Sequence, residues 1–427
     1  MKNSVSSFIA ELLAGVVLIT FASCNNNDNP EPEPVPIITS IHPSSGIIGS
    51  PVTITGDQFI PTVPPDQGVG PHPNTSIVAF NGIVAEAPYV YQDGEGIQRI
   101  NTIVPLGATS GKITVTVNDK TLSSLDDFII NIPIYLPNVE VSTVPGWGLD
   151  IAIDSEGSLF LTHNGPNEII KITPDGIAHT LWSSGTDTPF GIAVDTQGNV
   201  FVTIVNSHII KIDVNGNVTT LAGSTVAGDV NGQGANARFR IPLGIDVDKD
   251  GNLYVADVLN YKIRKITPNG TVSTLAGSTY GHKDGTGANA QFLSPDNVFV
   301  DADGNVYVSD AARIRKVTSD GQVSTVAGSV HGYRDGTIAN AEFGNINGMV
   351  KDAAGNLYLA DEGNYVVRRI APDGTVVTVA GSTFGYLDGP GSTALFSQPL
   401  GMTMDASGHI LLTQGGGLYK IRRITIN

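Results

Sequence analysis

The chain of 427 residues is poor in cysteine, in tryptophan and in charge. Its single Cys excludes an intramolecular disulfide and a zinc site built from several cysteines. Charged residues make up only 15% of the chain, whereas 50 residues are Gly and 25 are Pro. This composition argues against a coiled coil or a helical bundle and favours β structure rich in turns. The 23 basic residues are outnumbered by 40 acidic ones, so we expect no nucleic-acid partner.

The single cysteine follows an apolar N-terminal segment. Residues 9–21 are mostly apolar, and the small pair Ala22-Ser23 directly precedes Cys24. The segment is too short and too close to the start for a transmembrane helix, and it indicates a secretory signal. Small residues before a Cys resemble the lipobox of bacterial lipoproteins, in which cleavage leaves an N-terminal Cys that carries acyl chains. This resemblance implies a signal peptide over residues 1–23 and lipidation at Cys24; ordinary secretion with a free thiol is the alternative.

A polar tether follows the cysteine. Residues 25–29 are Asn and Asp, and residues 30–34 alternate Pro with Glu. Such a run is typical of an extended, semi-rigid linker. We expect residues 24–35 to hold the rest of the chain away from a membrane, with the lipid in the outer membrane and the protein on the cell surface.

Residues 36–131 predict a small β-sandwich. Short runs with period-2 alternation are separated by turn signals such as Asn81-Gly82. Four motifs in this stretch resemble an IPT/TIG domain, which is an immunoglobulin-like fold: Ile-x-Pro-Ser-Ser-Gly46, Gly49-x-x-Val-Thr-Ile-x-Gly-x-x-Phe59, Phe80-Asn-Gly82 and Ser110-Gly-Lys-Ile-Thr-Val-Thr-Val117. The resemblance implies a spacer or an interaction module without chemistry of its own.

The remainder of the chain is a repeat. An Asp-x-x-Gly turn recurs six times, at spacings of 41 to 53 residues, beginning at Asp154, Asp195, Asp248, Asp301, Asp352 and Asp405. Each unit contains four short strands, which predicts one blade of a β-propeller. The pattern Gly-Asn-Leu-Tyr-Val-Ala-Asp257 followed by Ile-Arg-Lys-Ile266 resembles NHL repeats and spans residues 138–427. The fold class is therefore all-β, with an immunoglobulin-like sandwich followed by a six-bladed NHL-type propeller.

Both ends of the repeat predict how the ring closes. The last unit stops after its third strand, and residues 139–144 resemble a fourth strand with no blade before it. This strand can complete the last blade and remove its free edge. We expect the basic Ile-Arg-Lys-Ile strands to form a solvated outer face. Four repeated phenylalanines are interpreted as loop anchors: Phe239, Phe292, Phe343 and Phe396.

Candidate ligand-binding residues lie on the face with the long loops. Four connections between units carry insertions, and the connection after Trp182 lacks one, which predicts a gap beside blade 1. Sugar binding needs aromatic platforms and polar hydrogen-bonding groups. The candidates are Trp147, Trp182, Tyr280, His282, His331, Tyr333 and Tyr386. Packing of these side chains among the loops is the alternative.

A metal site in the propeller channel is the weaker alternative. Some related propellers, of lactonase type or similar to streptogramin lyases, act in this channel. The starts of the first strands here contain neither His nor Glu, and we assign no catalytic residue and expect no cofactor. Four oxygen-bearing side chains there could hold Ca²⁺: Asp150, Asp296, Asn297 and Asn347. The Asp-x-x-Gly turns are interpreted as structural.

The order of lipobox, tether, IPT/TIG domain and NHL propeller resembles surface lipoproteins encoded in polysaccharide-utilisation loci. The resemblance implies a non-catalytic outer-membrane lipoprotein that binds polysaccharide or oligosaccharide, or that docks to outer-membrane uptake proteins. Two alternatives remain: a protein–protein scaffold without glycan binding, and a metal-dependent lyase or lactonase.

Overall fold

Strands account for nearly all of the regular structure. The computed structural model describes residues 35–60, 76–86, 88–93, 96–117, 119–131, 133–417 and 419–427. The predicted signal peptide, Cys24 and nearly all of the tether lie outside these residues. Helix in the described part is limited to four 3₁₀ turns: Gly234–Asn236, Val258–Asn260, Gly287–Asn289 and Glu362–Asn364. Within the same part of the chain, no helix has the length and apolar character needed to cross a membrane.

The first module is a sandwich of two sheets. One sheet has the strand order Ile37–His42, Pro51–Asp57, Gln98–Ile103, Tyr89–Gln92. The other has the order Ser45–Gly46, Lys120–Ile130, Gly111–Val117, Ile77–Phe80, Ile83–Val84. Alternate residues of both sheets, among them Ile54, Ile100 and Val115, are buried between them. The predicted period-2 pattern therefore forms the core of a sandwich.

Six further sheets follow, and each begins with its innermost strand. Sheet 1 contains Ile151–Ile153, Leu159–His163, Glu168–Ile172 and Ala178–Ser183; sheet 2 contains Pro189–Val194, Val200–Ile204, His208–Ile212 and Val218–Gly223. Sheet 3 contains Pro242–Val247, Leu253–Asp257, Lys262–Ile266 and Thr271–Gly277; sheet 4 contains Pro295–Val300, Val306–Asp310, Arg313–Val317 and Gln322–Ala327. Sheet 5 contains Ile346–Lys351, Leu357–Asp361, Val366–Ile370 and Thr375–Ala380; sheet 6 contains Pro399–Met404, Ile410–Gln414, Lys420–Ile426 and Val139–Val144.

The insertions add a short fifth strand to the outer edge of the sheet that follows them. These strands belong to sheets 3 to 6 in turn: Gly232–Gln233, Gly285–Thr286, Gly336–Thr337 and Gly389–Pro390.

The ring closes as the sequence predicts. Val139–Val144 pairs antiparallel with Lys420–Ile426, so that Val139 lies opposite Ile426 and Val144 opposite Ile421. The first strands of successive sheets contact one another, and the first strand of sheet 6 contacts that of sheet 1. All six first strands line a common central channel. Closure therefore leaves no sheet without a neighbour on either side.

Neighbouring first strands approach so closely that each has one position with little room for a side chain. This position is Asp150, Gly191, Gly244, Asn297, Gly348 and Gly401 in sheets 1 to 6. A Cβ on Gly348 would lie 2.3 Å from the Leu400 carbonyl oxygen, and one on Gly191 would lie 2.3 Å from that of Leu243. Four glycines thus let the strand backbones converge, and only Asp150 and Asn297 have side chains there.

The basic third strands are not a solvated face, and that prediction was wrong. Their third residues in sheets 3 to 6 are fully buried arginines: Arg264, Arg315, Arg368 and Arg422. Each guanidinium lies about 5 Å above the ring of a buried insertion phenylalanine, which confirms the phenylalanines as loop anchors: Phe239, Phe292, Phe343 and Phe396. Strand alternation turns one basic residue inward and its neighbour outward.

Each buried arginine fastens an insertion to a sheet. In sheet 5, Arg368 donates to the Glu342 carbonyl oxygen, to Asp335 (2.8 Å) and to Asp361 (3.1 Å). The equivalent of Asp361 in sheet 6 is Gln414, which accepts from Arg422 at 3.0 Å. We call this arrangement an arginine clasp. Sheets 1 and 2 have Ile170 and Ile210 at the arginine position and therefore have no clasp.

The sandwich contacts the insertion of sheet 5, within the compact unit Pro36–Asn427. Ser45 donates to the Glu342 carboxylate, and Asn131 donates to the Tyr333 carbonyl oxygen. The backbone amide of Ile134 donates to Asp335 at 2.7 Å. The insertion at 332–343, which Arg368 fastens to sheet 5, therefore also bonds the sandwich and the segment that follows it.

Candidate functional site

A cleft of about 570 Å³ opens where sheets 6 and 1 meet. We call it the aromatic cleft, and its lining residues are Trp147, Asn164, Gly165, Tyr386, Gly417, Tyr419 and Lys420. They come from the segment that leads into sheet 1, from the connections between second and third strands of sheets 1 and 6, and from the insertion at 385–396. All of these segments lie at the long-loop face. The cleft combines three aromatic rings with an amide and an ammonium group.

Trp147 is the most prominent platform of the cleft. Gly146 precedes it with φ +113°, and a Cβ there would lie 2.7 Å from the side chains of Ile172 and Ile421. The chain thus passes closely between sheets 1 and 6 and brings out the indole, which stays 38% exposed. One indole face stacks on the His163 ring, with centroids 3.7 Å apart and planes 12° apart. The exposed part of the indole lines the cleft.

His163 takes a position that other sheets use for the clasp. It is the last residue of its strand, where sheets 3, 4 and 5 have Asp257, Asp310 and Asp361. With no arginine in sheet 1, the imidazole packs under Trp147 and its Nε2 bonds the Trp147 carbonyl oxygen. Burial lowers the pKa of His163, although this bond and the Glu168 carboxylate oppose the shift. In sheet 1, which has no clasp, the residue at this position therefore supports the Trp147 side chain instead.

The opposite wall is formed by Tyr386 and Tyr419, each 40% exposed. The Tyr386 ring lies 4.8 Å from the Arg422 guanidinium, and its hydroxyl is 2.5 Å from the Thr143 hydroxyl. Asp388 accepts from both Arg422 (2.7 Å) and Thr143 (3.1 Å), which holds this arrangement in place. The clasp of sheet 6 thus orients one cleft ring. Tyr419 is tilted 56° to Trp147, with ring centroids 5.7 Å apart.

The position of the cleft differs from the predicted gap. The prediction placed the gap after Trp182, between sheets 1 and 2, whereas the cleft lies on the other side of sheet 1. Trp182 is half-buried and packs against the core between sheets 1 and 2. Tyr280 is exposed and meets Tyr261 edge-on at 5.6 Å, and His282 is exposed on the same insertion. Of the predicted residues, only Trp147 and Tyr386 line the cleft.

The sandwich covers two other predicted ligand contacts. Tyr333 is fully buried with Ile47 and Val366, and its hydroxyl bonds Thr378. The His331 ring lies 5.5 Å from the ring of His42 of the sandwich. Burial and this second histidine lower the pKa of His331. Both residues serve the contact between the modules in this structure.

The central channel holds a separate polar cavity of about 140 Å³. Asp150, Asp246 and Asn297 line it. Burial raises the pKa of Asp150 to about 7. The backbone amides of Ile192 (3.0 Å) and Ile151 (2.9 Å) donate to its carboxylate and lower the pKa, but by less than burial raises it. Burial likewise raises the pKa of Asp246 to about 6. The two carboxyl groups bond neighbouring sheets together at the ring centre.

The four residues of the predicted metal site do not meet at one point. Asp150 and Asn297 line the channel cavity, which Asp296 and Asn347 do not reach. Asp296 accepts from Ser294 at 2.9 Å, and Asn347 donates to Glu362 at 3.1 Å. The described residues contain no group of three or more His, Cys, Asp or Glu side chains placed to hold a metal ion.

The Asp-x-x-Gly turns have the predicted structural role. Asp248 Oδ1 accepts from the amides of Asp250 (2.9 Å) and Asn252 (2.8 Å), and Asp301 Oδ1 accepts from Asp303 and Asn305 in the same way. These carboxylates close turns between first and second strands.

Sequence reasoning missed Tyr419, Lys420 and His163. Tyr419 and Lys420 lie in a unit that the sequence presents only as an incomplete blade, and no other repeat has His at the position of His163. The available signal was that His163 and Ile170 replace the Asp and Arg of sheets 3 to 5, which marks sheet 1 as one of the two sheets without a clasp.

Comparisons with known proteins bear on the modules. Residues 36–130 match the IPT/TIG domain family model, which confirms that resemblance. NHL repeat-containing protein 3 of Mus musculus is 28% identical over 180 residues, covering 39% of this chain and 49% of its own length. Protein SUPPRESSOR OF QUENCHING 1, chloroplastic, of Arabidopsis thaliana is 38% identical over 85 residues, covering 19% of this chain. The chain spans only 8% of that plant protein, and about half of the mouse protein.

Two solved structures share the fold over nearly the whole chain. An auxiliary nutrient-binding protein from Bacteroides ovatus ATCC 8483 covers 93% of this chain and 99% of its own, with TM-score 0.54 and 18% identity. An auxiliary nutrient-binding protein from Bacteroides thetaiotaomicron VPI-5482 covers 92% and 98%, with TM-score 0.54 and 15% identity. At such identity, the likeness shows the fold alone.

Proposed function

We propose that this protein is a non-catalytic, lipid-anchored protein of the outer cell surface that binds a saccharide in the aromatic cleft. The six sheets would be the blades of one propeller, and residues 24–35 its tether. The aromatic cleft carries the proposal. A pyranose presents an apolar face edged with hydroxyls, and the cleft offers the exposed part of the Trp147 ring for the first and the Asn164 amide for the second.

The lining of the cleft favours binding over hydrolysis. Glycoside hydrolysis generally uses a pair of carboxyl groups on either side of the scissile bond. The residues that line the aromatic cleft include neither Asp nor Glu. The auxiliary nutrient-binding proteins of Bacteroides that share the fold support a role in nutrient binding.

Isothermal titration calorimetry tests the binding site. The chain from Asn25 onward is titrated with a panel of soluble polysaccharides, and at least one is expected to bind. Trp147→Ala should weaken this binding about tenfold or more, since a tenfold change corresponds to only about 1.4 kcal/mol and the variant removes the main stacking surface. Tyr419→Ala should weaken it in the same direction.

Tyr280→Ala is the matched control, because Tyr280 is an exposed insertion tyrosine outside the cleft. It should bind as the unaltered chain does. Equal binding by Trp147→Ala and Tyr280→Ala would place the ligand elsewhere on the molecule. If no polysaccharide gives a heat signal and the chain recovers an uptake protein from solubilised membranes, the scaffold alternative is favoured.

Lipid anchoring at Cys24 is tested in cells. Expression with an alkyne-labelled fatty acid should label the full chain, and Cys24→Ser should abolish the label because serine cannot replace the acylated thiol. The labelled chain should fractionate with the outer membrane, and protease treatment of intact cells should convert the full-length labelled chain to a short labelled fragment. A labelled Cys24→Ser variant, or an unlabelled parent chain, would contradict the assignment; Ser23→Ala serves as the control.

A further inference from the structure

Lys420 is the single charged side chain that lines the aromatic cleft. Acidic residues outnumber basic ones in the chain by 40 to 23, whereas the lining of this cleft contains one lysine and no carboxylate. Lys420 is exposed, and the ion pairs found among the described residues do not include it. The ammonium group is therefore open to a partner from outside the chain.

Sheet 3 shows a partner that a lysine at this place can bind. Lys420 begins the third strand of sheet 6, as Lys262 begins that of sheet 3. Lys262 forms an ion pair with Asp229, the second residue of the insertion at 228–239. The equivalent second residue of the insertion at 385–396 is Tyr386.

This equivalence rests on contacts as well as on sequence. Arg264 bonds the Val230 carbonyl oxygen and Asn231 directly after Asp229, and Arg422 bonds Leu387 and Asp388 directly after Tyr386. Sheet 6 therefore has the same lysine as sheet 3, with an aromatic ring in place of the carboxylate that pairs with it there.

We propose that the ligand of the aromatic cleft is a saccharide that carries a carboxylate, such as a uronic acid, with its ring on Trp147 and its carboxylate on Lys420. This inference rests on the proposed saccharide binding and adds the chemical class of the sugar. The ligand carboxylate gives Lys420 the ion-pair partner that Asp229 gives Lys262 in sheet 3. A charge-assisted hydrogen bond of this kind is stronger than one to a neutral hydroxyl, so the lysine selects acidic over neutral sugars.

Matched acidic and neutral ligands test the proposal. Oligosaccharides of galacturonate, mannuronate and glucuronate are titrated into the full chain in detergent, alongside the same oligosaccharides after reduction of the carboxyl groups to alcohols. At least one acidic form should bind about tenfold more tightly than its reduced form. Raising NaCl from 50 to 500 mM should weaken the acidic ligand severalfold and leave the reduced ligand nearly unchanged.

Variants at the two equivalent lysines complete the test. Lys420→Gln should lower the affinity for the acidic form to that for the reduced form, and Lys420→Glu should reverse the preference. Lys262→Gln should change neither affinity, because Lys262 is already paired within the chain. Thermal melting of each variant checks that the fold is retained.

The possible failures are distinct. Equal binding of acidic and reduced forms, or an unaltered preference in Lys420→Gln, would overturn this inference while Trp147-dependent binding stood. Binding of neutral polysaccharides alone would overturn it as well. Failure of every acidic and neutral ligand would overturn the proposed saccharide binding itself.

Discussion

Arg368→Ala is expected to lower the free energy of unfolding by about 3–5 kcal/mol, the usual cost of removing one partner of a buried ion pair. The variant leaves Asp361 fully buried without its cation and removes the guanidinium between the rings of Tyr333 and Phe343. Burial already raises the pKa of Asp361 to about 6 even with Arg368 opposing that shift. Urea denaturation at pH 7.5, followed by circular dichroism, measures the change.

The same variant should loosen the sandwich from the ring. Arg368 holds Asp335, and Asp335 accepts the amide of Ile134. We therefore expect limited proteolysis to cut near residue 134 faster than in the unaltered chain.

Arg369→Ala is the matched control, since Arg369 is the next residue, lies half-buried opposite Tyr358 and makes none of the clasp bonds. It should cost less than about 1 kcal/mol, as most substitutions at partly exposed positions do. Similar losses in the two variants would mean that the clasp contributes no special stability.

Asp150→Asn is expected to remove a pH dependence of stability. The folded-state pKa of Asp150 is raised to about 7 from 3.8, so between these values the folded chain binds more protons than the unfolded chain. Stability from this group is therefore fully present below about pH 4 and is lost as the pH rises through 7. A tenfold change in proton affinity is worth about 1.4 kcal/mol, so the loss amounts to as much as about 4 kcal/mol.

The measurement is the difference in unfolding free energy between variant and parent at pH 4.5, 6 and 8. As the pH rises, the parent should lose stability that the variant does not lose, so the variant should become more stable relative to the parent. Asn can accept only one of the two amides that Asp150 accepts, so the variant has a cost that does not depend on pH, and the test is how the difference changes with pH. The neighbouring Asp246 carboxyl, whose pKa is also raised, shares the channel and should respond to the loss of the Asp150 charge.

Asp175→Asn is a control of opposite sign. A hydrogen bond from Thr173 lowers the pKa of Asp175, which lies in an exposed turn where sheet 3 has Asn269. Its contribution to stability is present above the ordinary pKa of 3.8 and is lost as the pH falls below that value. When the measurement is extended down to pH 3, its variant should therefore lose stability relative to the parent as the pH rises to 4.5, and the difference should stay level from there to pH 8. A difference curve for Asp150→Asn that is flat, or that falls with pH, would show that the channel carboxyl ionises freely.

Local signals in the sequence were enough to predict most of the fold. The turn at Asp248 closes with bonds among residues 248–252, and such a turn depends on its own few residues. The alternation of Val52 and Ile54 in the sandwich core is equally local. The closing strand was predictable because the last unit lacks a fourth strand and residues 139–144 form a strand that belongs to no earlier unit. These two can only pair with each other.

The buried arginines show where local reasoning failed. A strand that reads Ile-Arg-Lys-Ile has two polar positions, and charge alone suggested that both face water. Arg264 instead finds Asp257 and the Phe239 ring, which lie in other elements. A charge can be buried only when such partners exist, and those partners are not visible within the strand.

The sequence by itself determined the β-sandwich, the repeated units built from short strands and the structural role of their turns, because each depends on patterns within a few residues. The tertiary structure alone decided where the aromatic cleft lies. Thr143 and Tyr386 are 243 residues apart and bond only because the ring closes, and closure also brings Trp147 to Tyr419. Side chains from opposite ends of a chain form a site only after long-range pairing has fixed their distance, and no local pattern contains that information.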